Sequence, residues 1–236
     1  MTAQVTHLAL DGSRLDIEGD LDLSLPFTSV VDLGIGGGRH EFTAGALGLG
    51  DEVVAALGLS GFGEELSYAG GTLRIAHGKV TDPRTRLADA VTVAAWHGTR
   101  HSLVSSLYNV TTADVLDLFS AVRITEQDAG ITLAPAPDSG STLLGSALVL
   151  KEIPGLGLLE IAARSREAVR ELPDWGGLAL PSGELFRDTL SNGRSYFVLA
   201  TPAAIVTVLP LGDHPTADVA ARVSGLSVSV RSARPW

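Results

Sequence analysis

The stretch SVVDLGIGGGRHEF, residues 29–42, decides which kind of fold this sequence specifies. It joins a strand-like segment, TSVVDL (28–33), to four glycines within five residues. Glycines in such a place serve one of two purposes. They form a loop that leads from a parallel strand into a helix, or a turn that reverses the chain between antiparallel strands.

An acidic residue is followed by the pattern G-x-G-x-G within this stretch, and this combination resembles the first motif of class I S-adenosylmethionine-dependent methyltransferases. The resemblance implies that the glycines let the backbone approach the cofactor. It also implies an acid at the end of the following strand, here Asp51 or Glu52, which holds the ribose hydroxyls. The implied cofactor-binding residues are Asp32, Gly34, Gly36, Gly38 and Asp51.

The space after the glycines favours the other interpretation. Only residues 39–46 separate them from the next strand-like segment. A crossover between parallel strands needs on the order of ten to twelve residues or more. We therefore predict that Gly34–Gly38 reverses the chain beside an antiparallel sheet.

Hydrophobic periodicity along the chain predicts a fold of the α+β class. Apolar and polar residues alternate from Leu15 to Leu25, which is typical of a strand, and Asp11-Gly12 before them predicts a hairpin turn. Thr111 and Asp114 have capping-box spacing ahead of a helix that reaches Val122. Strands outnumber helices, and their connections are short. We expect a large, mainly antiparallel β-sheet with a few short helices packed on one face.

Shorter helices are predicted for residues 50–58, where Asp51 can accept hydrogen bonds from free N–H groups, and for residues 165–172, closed by Pro173. The length of 236 residues suits one compact α+β domain, 1–236. The middle and C-terminal parts each contain strands and a short helix. A subdivision near residues 138–141 into two similar halves therefore stays open.

Composition excludes several function classes. The formal charge of −10 opposes binding to nucleic-acid phosphates, and the chain has no cysteine for a disulfide or a thiolate metal site. No apolar segment has the length of a membrane span or the pattern of a signal peptide. We expect a soluble cytoplasmic protein with no nucleic-acid or membrane partner; a homo-oligomer stays open.

Other residue groups raise weaker hypotheses. His97 and His101 are four apart and suggest a metal-dependent hydrolase, although Gly98 between them favours a turn. The alternating acids of the first strand favour a solvated face over a cation site. Ser60 is interpreted as a loop hydroxyl, because GLSGFG lacks the last glycine of a nucleophile elbow. The neighbouring pairs His40-Glu41 and Asp213-His214 are interpreted as polar loops.

Three tryptophans, Trp96, Trp175 and Trp236, are candidates for core or sheet-edge anchors. Trp175 lies in the Gly/Pro-rich segment PDWGGLALPSGELF, and such connections often carry recognition, so it is our candidate partner-binding residue. No coherent catalytic set or metal site emerges. We therefore expect a noncatalytic binding protein without a cofactor, with a regulatory or assembly role through a protein partner or small ligand. The S-adenosylmethionine-dependent methyltransferase is the alternative.

Overall fold

A computed structural model of the chain describes residues 2–81, 84–211 and 219–232, and it has the expected α+β class with mainly antiparallel sheet. Within these residues, no helix is both long and apolar enough to cross a membrane. The strands in chain order are β1 Ala3–Leu8, β2 Arg14–Gly19, β3 Phe27–Ile35, β4 Gly38–Ala46, β5 Glu64–Tyr68, β6 Gly71–Thr81, β7 Ala88–His97, β8 His101–Tyr108, β9 Val122–Gln127, β10 Gly130–Pro135, β11 Thr142–Leu143, β12 Leu148–Ile153, β13 Gly157–Ala163, β14 Leu178–Leu180, β15 Gly183–Thr189, β16 Ser195–Ala200, β17 Ala204–Leu209 and β18 Ser227–Arg231. The helices are α1 Leu49–Ala56, α2 Thr112–Ser120, α3 Arg166–Arg170 and α4 Val219–Val223.

The chain forms two compact units. Unit 1 comprises Met1–Ala9, Ser13–Thr28 and Ser146–Trp236, and unit 2 comprises Leu10–Gly12 and Ser29–Gly145. Whether the whole chain folds as one domain stays a prediction.

Unit 2 is built on six antiparallel strands in the order β3-β4-β8-β7-β6-β5. Helix α1 buries Val54 against Ala76, Val93, Ala95 and Val104 of this sheet. Helix α2 begins with the predicted capping box, in which Thr111 and Asp114 bond reciprocally, and its Phe119 packs edge-on against Phe42. The hairpin of β9 and β10 completes the unit.

Unit 1 contains six antiparallel strands in the order β14-β15-β16-β17-β13-β12. A separate group of three strands, β18-β2-β1, belongs to the same unit. Helix α3 covers the six-stranded part through Ala168 and Leu172, which pack against a buried cluster that includes Phe186 and Ile205.

The two units share one connectivity. The comparison concerns the six-stranded part of each unit, β3–β8 in unit 2 and β12–β17 in unit 1. When the six strands are numbered in chain order, their order across the sheet is first, second, sixth, fifth, fourth, third in both units. A helix follows the second strand (α1 and α3), and another follows the sixth (α2 and α4). The predicted similarity of the halves thus corresponds to a common topology, and their origin by duplication stays a prediction.

The long strand predicted from Leu15 to Leu25 is wrong beyond Gly19, where β2 ends. Gly19 pairs with Ala3, the first residue of β1, so the neighbouring strand offers no further backbone partner. The carbonyl oxygens of Leu23 and Leu25 instead accept hydrogen bonds from the Lys151 ammonium. The alternation of apolar and polar residues therefore continues in the sequence beyond Gly19, where β2 stops pairing with β1.

Candidate functional site: an arginine-lined groove

Helix α3 of unit 1 presents its arginines to solvent because its other side is fixed to the sheet. Ser165 begins the helix, and its hydroxyl accepts a 3.0 Å hydrogen bond from the backbone N–H of Ala168. Arg166 and Arg170 lie one turn apart, and both are exposed. The helix therefore projects two guanidinium groups from one face.

A third arginine is held beside them by the turn between β16 and β17. The backbone N–H of Arg164 donates to the Ala203 carbonyl at 3.0 Å, and its Nη1 donates to the Thr201 carbonyl at 2.8 Å. Because both ends of Arg164 are anchored, its charge is placed with little freedom at the start of the helix.

These residues line an open, shallow groove of about 460 Å³. Its lining consists of Arg164, Ser165, Arg166, Val169 and Arg170. Val169 is 37% exposed and supplies an apolar patch among the charges. We call this surface the arginine groove.

The three guanidinium groups have no carboxylate partner among the described residues. Among the described residues, five other arginines have a carboxylate oxygen within 4 Å, namely Arg14, Arg39, Arg74, Arg100 and Arg231. Arg123, Arg187 and Arg222 also have no carboxylate partner among these residues, but they do not line a common groove. In a chain with 27 acidic and 17 basic residues, three unpaired arginines around one groove leave a local positive charge that an anion would neutralise.

The chemistry of the groove is that of binding. Guanidinium groups are planar donors that match the two oxygens of a phosphate or a carboxylate. The hydroxyl oxygen of Ser165 is already engaged by the helix terminus, and the lining contains no histidine or acid that could activate it. The arrangement can therefore hold an anion and contains no nucleophile with a general base.

The glycine stretch is the predicted chain reversal. β3 and β4 pair antiparallel, with Ile35 opposite Gly38, and the two residues between them form the turn. Gly36 and Gly37 have φ of +59° and +81°, the positive values that a two-residue type I′ turn requires. A strand therefore follows the glycines directly, where the methyltransferase motif has a helix.

The residues implied as methyl-donor ligands have separate partners. Asp32 accepts a 2.5 Å hydrogen bond from Arg39 across the hairpin, whereas Asp51 lies in the first turn of α1, 3.3 Å from Nη1 of Arg74. Gly34 faces Thr142 and Leu144. Binding of S-adenosylmethionine stays a prediction.

The structure does not bring His97 and His101 together. Ser102 is the cross-strand partner of His97, so His101, the neighbour of Ser102 in β8, points to the other face of the sheet. Burial lowers the pKa of His97, and the nearby Arg74 charge lowers it further; the ring packs edge-on against Phe62. Nδ1 of His101 lies 3.3 Å from Glu126. The two imidazoles thus offer no common metal site.

The remaining candidates are separate surface or core residues. Trp175 is 52% exposed ahead of β14, and a partner role for it stays a prediction, whereas Trp96 is buried and donates to the Tyr68 carbonyl. Ser60 lies in an exposed loop, as predicted. The polar loop predicted for His40-Glu41 is wrong, because both residues belong to β4, where consecutive side chains point to opposite faces. The pair Asp213-His214 and Trp236 lie outside the described residues.

The acids of the first strand are divided by the end of β2. Asp16 lies within it and accepts hydrogen bonds from Thr6, Arg14 and Arg231, whereas Asp20 and Asp22 follow the strand. The hydrogen bond from Thr6 and the two arginines lower the pKa of Asp16 despite a smaller opposing effect of burial. This carboxylate is therefore occupied by protein partners.

None of the predictions made from the sequence includes the arginine groove. Its signal is the spacing R-x-R-x3-R in the segment RSREAVREL (164–172), which puts two arginines one helical turn apart in an acidic chain. No protein-family model matches the chain, and no curated protein or solved structure is significantly similar to it.

Proposed function

We propose that this chain is a noncatalytic cytoplasmic binding protein that recognises an anionic ligand or an anionic segment of a protein partner through the arginine groove, in a regulatory or assembly role. The observation that carries the proposal is that Arg164, Arg166 and Arg170 line one groove and that none of the three has a carboxylate oxygen within 4 Å among the described residues. A bound phosphate or carboxylate would supply the missing negative charge.

Electrostatic screening is compatible with a local anion site on a protein whose net charge is negative. The Debye length is about 8 Å at physiological ionic strength, so an anion in the groove responds mainly to the nearest charges. Each guanidinium at about 4 Å contributes on the order of 1 kcal/mol in bulk water and more where the groove excludes water. Glu167 and Glu171 lie on or beside the same helix and reduce the local positive charge, so the three arginines leave a net excess of one positive charge in the segment 164–172.

Isothermal titration calorimetry with sodium pyrophosphate tests the proposal directly. We expect saturable binding that weakens at least about tenfold in the double variant Arg166→Gln/Arg170→Gln, because two charge-assisted contacts are lost. A hexaglutamate peptide as a second titrant separates phosphate recognition from recognition of carboxylates. Arg123→Gln is the matched control, because Arg123 is exposed on β9 and is not among the residues that line the groove.

Two results of the titration would contradict the proposal. Equal affinities in the native protein and the double variant would exclude the groove as the site. No saturable binding of either titrant by the native protein would contradict anion recognition itself.

A further inference from the structure

Four side chains of unit 2, those of Glu64, His77, Thr92 and Thr112, meet at the N-terminus of α2. His77 of β6 stands opposite Thr92 of β7, and its Nδ1 lies 2.9 Å from the Thr92 hydroxyl oxygen. The same hydroxyl lies 3.3 Å from the Val110 carbonyl, which can only accept. When the hydroxyl donates to that carbonyl, its oxygen accepts from His77, and this arrangement supports the tautomer with the proton on Nδ1.

The other nitrogen of His77 faces two oxygen atoms. Nε2 lies 3.3 Å from Oε1 of Glu64 and 3.1 Å from the hydroxyl oxygen of Thr112. The Thr112 hydroxyl donates to the same Glu64 oxygen at 2.9 Å. In the tautomer with the proton on Nδ1, the Nε2 lone pair points toward a carboxylate oxygen, and a cation between them would satisfy both.

We propose that Nε2 of His77, Oε1 of Glu64 and Oγ1 of Thr112 form a binding site for a divalent transition-metal ion, with Zn²⁺ as the best match. The three atoms are 2.9 to 3.3 Å apart. Ligands about 2.0–2.1 Å from a metal are separated by about 3.0 Å in octahedral and about 3.3 Å in tetrahedral geometry. The triangle therefore has the size of one face of a coordination shell.

The surroundings also suit a metal. The side chains of His77 and Glu64 are each 43% exposed, so water can complete the coordination on the open side. Thr92 is buried and holds the ring through Nδ1–H, which is the support that metal-binding histidines ordinarily receive. Imidazole nitrogen and carboxylate oxygen together favour Zn²⁺ over Mg²⁺ or Ca²⁺.

Two features limit the affinity. In the described ranges, no three His, Asp or Glu side chains come together, so the third donor must be the weaker threonine hydroxyl. The positive end of α2 opposes a cation by at most about fivefold in affinity. Asp114 in the first turn of α2 offsets part of that effect.

Isothermal titration calorimetry with ZnCl₂ tests the site. We expect one saturable event that weakens at least about tenfold in His77→Gln and in Glu64→Gln, and about tenfold in Thr92→Val, which keeps all three donor atoms. His40→Gln is the matched control, because it removes a histidine from β4, outside the cluster.

Nuclear magnetic resonance of the imidazole nitrogens gives a readout that does not depend on any variant folding. Addition of Zn²⁺ should shift His77 Nε2 strongly while the Nδ1–H signal persists. If Zn²⁺ leaves the His77 Nε2 signal unchanged, Nε2 binds no metal ion, and that result overturns the proposal. Equal affinities in His77→Gln and the native protein overturn it as well.

Discussion

The Glu126 carboxylate accepts a 2.8 Å hydrogen bond from the backbone N–H of His101, across 25 positions of sequence. The same carboxylate accepts from the backbone N–H groups of Thr99 and Arg100 and from the Thr99 hydroxyl. The backbone N–H groups of the turn between β7 and β8 therefore surround the Glu126 carboxylate, which belongs to β9. This contact fastens the β9–β10 hairpin to the sheet of unit 2.

Glu126→Gln should destabilise the protein by about 2 kcal/mol, because a carboxylate that accepts several N–H bonds is replaced by an amide with one acceptor oxygen. Chemical denaturation at pH 7 measures the loss. Asp128→Asn is the control, because Asp128 is 87% exposed and its pairing with Arg100 contributes little. Equal stability of Glu126→Gln and the native protein would show that the hydrogen bonds contribute nothing net.

The pH dependence of the same contact has a definite sign. Burial alone raises the pKa of Glu126, but the hydrogen bonds from Thr99, Arg100 and His101 outweigh it and lower the pKa from 4.5 to about 2. A depressed carboxyl pKa stabilises the folded state above the unfolded pKa. The native protein should therefore lose this contribution as the pH falls from about 5 to about 2, and Glu126→Gln should show a shallower loss over that window.

The turn at Gly36-Gly37 makes a different prediction, because only backbone conformation restricts these positions. A Cβ built on either glycine meets no atom within 4 Å. Gly36→Asn should leave stability nearly unchanged, since asparagine suits the first position of a type I′ turn, whereas Gly37→Val should cost about 2 kcal/mol. Thermal unfolding of both variants, with and without S-adenosylmethionine, also tests the methyl-donor alternative. A saturable rise in melting temperature in the native protein, lost in Gly36→Asn, would favour that alternative.

Local signals in the sequence predicted the fold where they coincided with tertiary pairing. The capping box at Thr111 and the spacing around Gly98 place the start of α2 and the β7–β8 pair correctly, whereas the predicted end of the helix at Val122 is wrong, because Val122 begins β9. The shortage of residues after Gly38 correctly favoured an antiparallel partner over a helix. These features depend on residues close in sequence, so local chemistry decides them.

Tertiary partners decided the rest. The hairpin of β14 and β15 lies in the segment interpreted as a long connection around Trp175, because only the pairing of β15 with β16 makes its short strands stable. The arginine groove was missed for a related reason. That Arg164, Arg166 and Arg170 lack acidic partners is a fact of three-dimensional placement, and the neighbouring Glu167 and Glu171 in sequence conceal it.

Lys151 supports residues 20–25, which the sequence pattern predicts to be part of a strand and which form none in the structure. Lys151 is 1% exposed, and its ammonium donates to the carbonyls of Leu23 and Leu25 and lies 4.5 Å from the centre of the Phe27 ring. Burial lowers the pKa of Lys151, and the nearby Asp22 opposes that shift.

Lys151→Met should destabilise the protein by about 2 kcal/mol, because two backbone carbonyls lose their donor while the volume is conserved. Hydrogen exchange at residues 20–26 should accelerate together with this loss. Lys79→Met is the matched control, since Lys79 is the other lysine of the chain and is exposed on β6. Unchanged exchange in Lys151→Met would mean that the segment is held by other contacts.

Ser165 offers a test of the arginine groove that removes no charge. Its hydroxyl caps α3, a helix of five residues, and the cap contributes about 1 kcal/mol to keeping Arg166 and Arg170 one turn apart. Ser165→Ala should therefore weaken pyrophosphate binding by up to about fivefold, and Ser165→Thr, which restores the hydroxyl, should recover most of it. Calorimetry at low and high salt completes the test, because binding by three arginines must weaken as chloride screens them. An affinity that is independent of salt and of the cap would mean that pyrophosphate binds elsewhere on the chain.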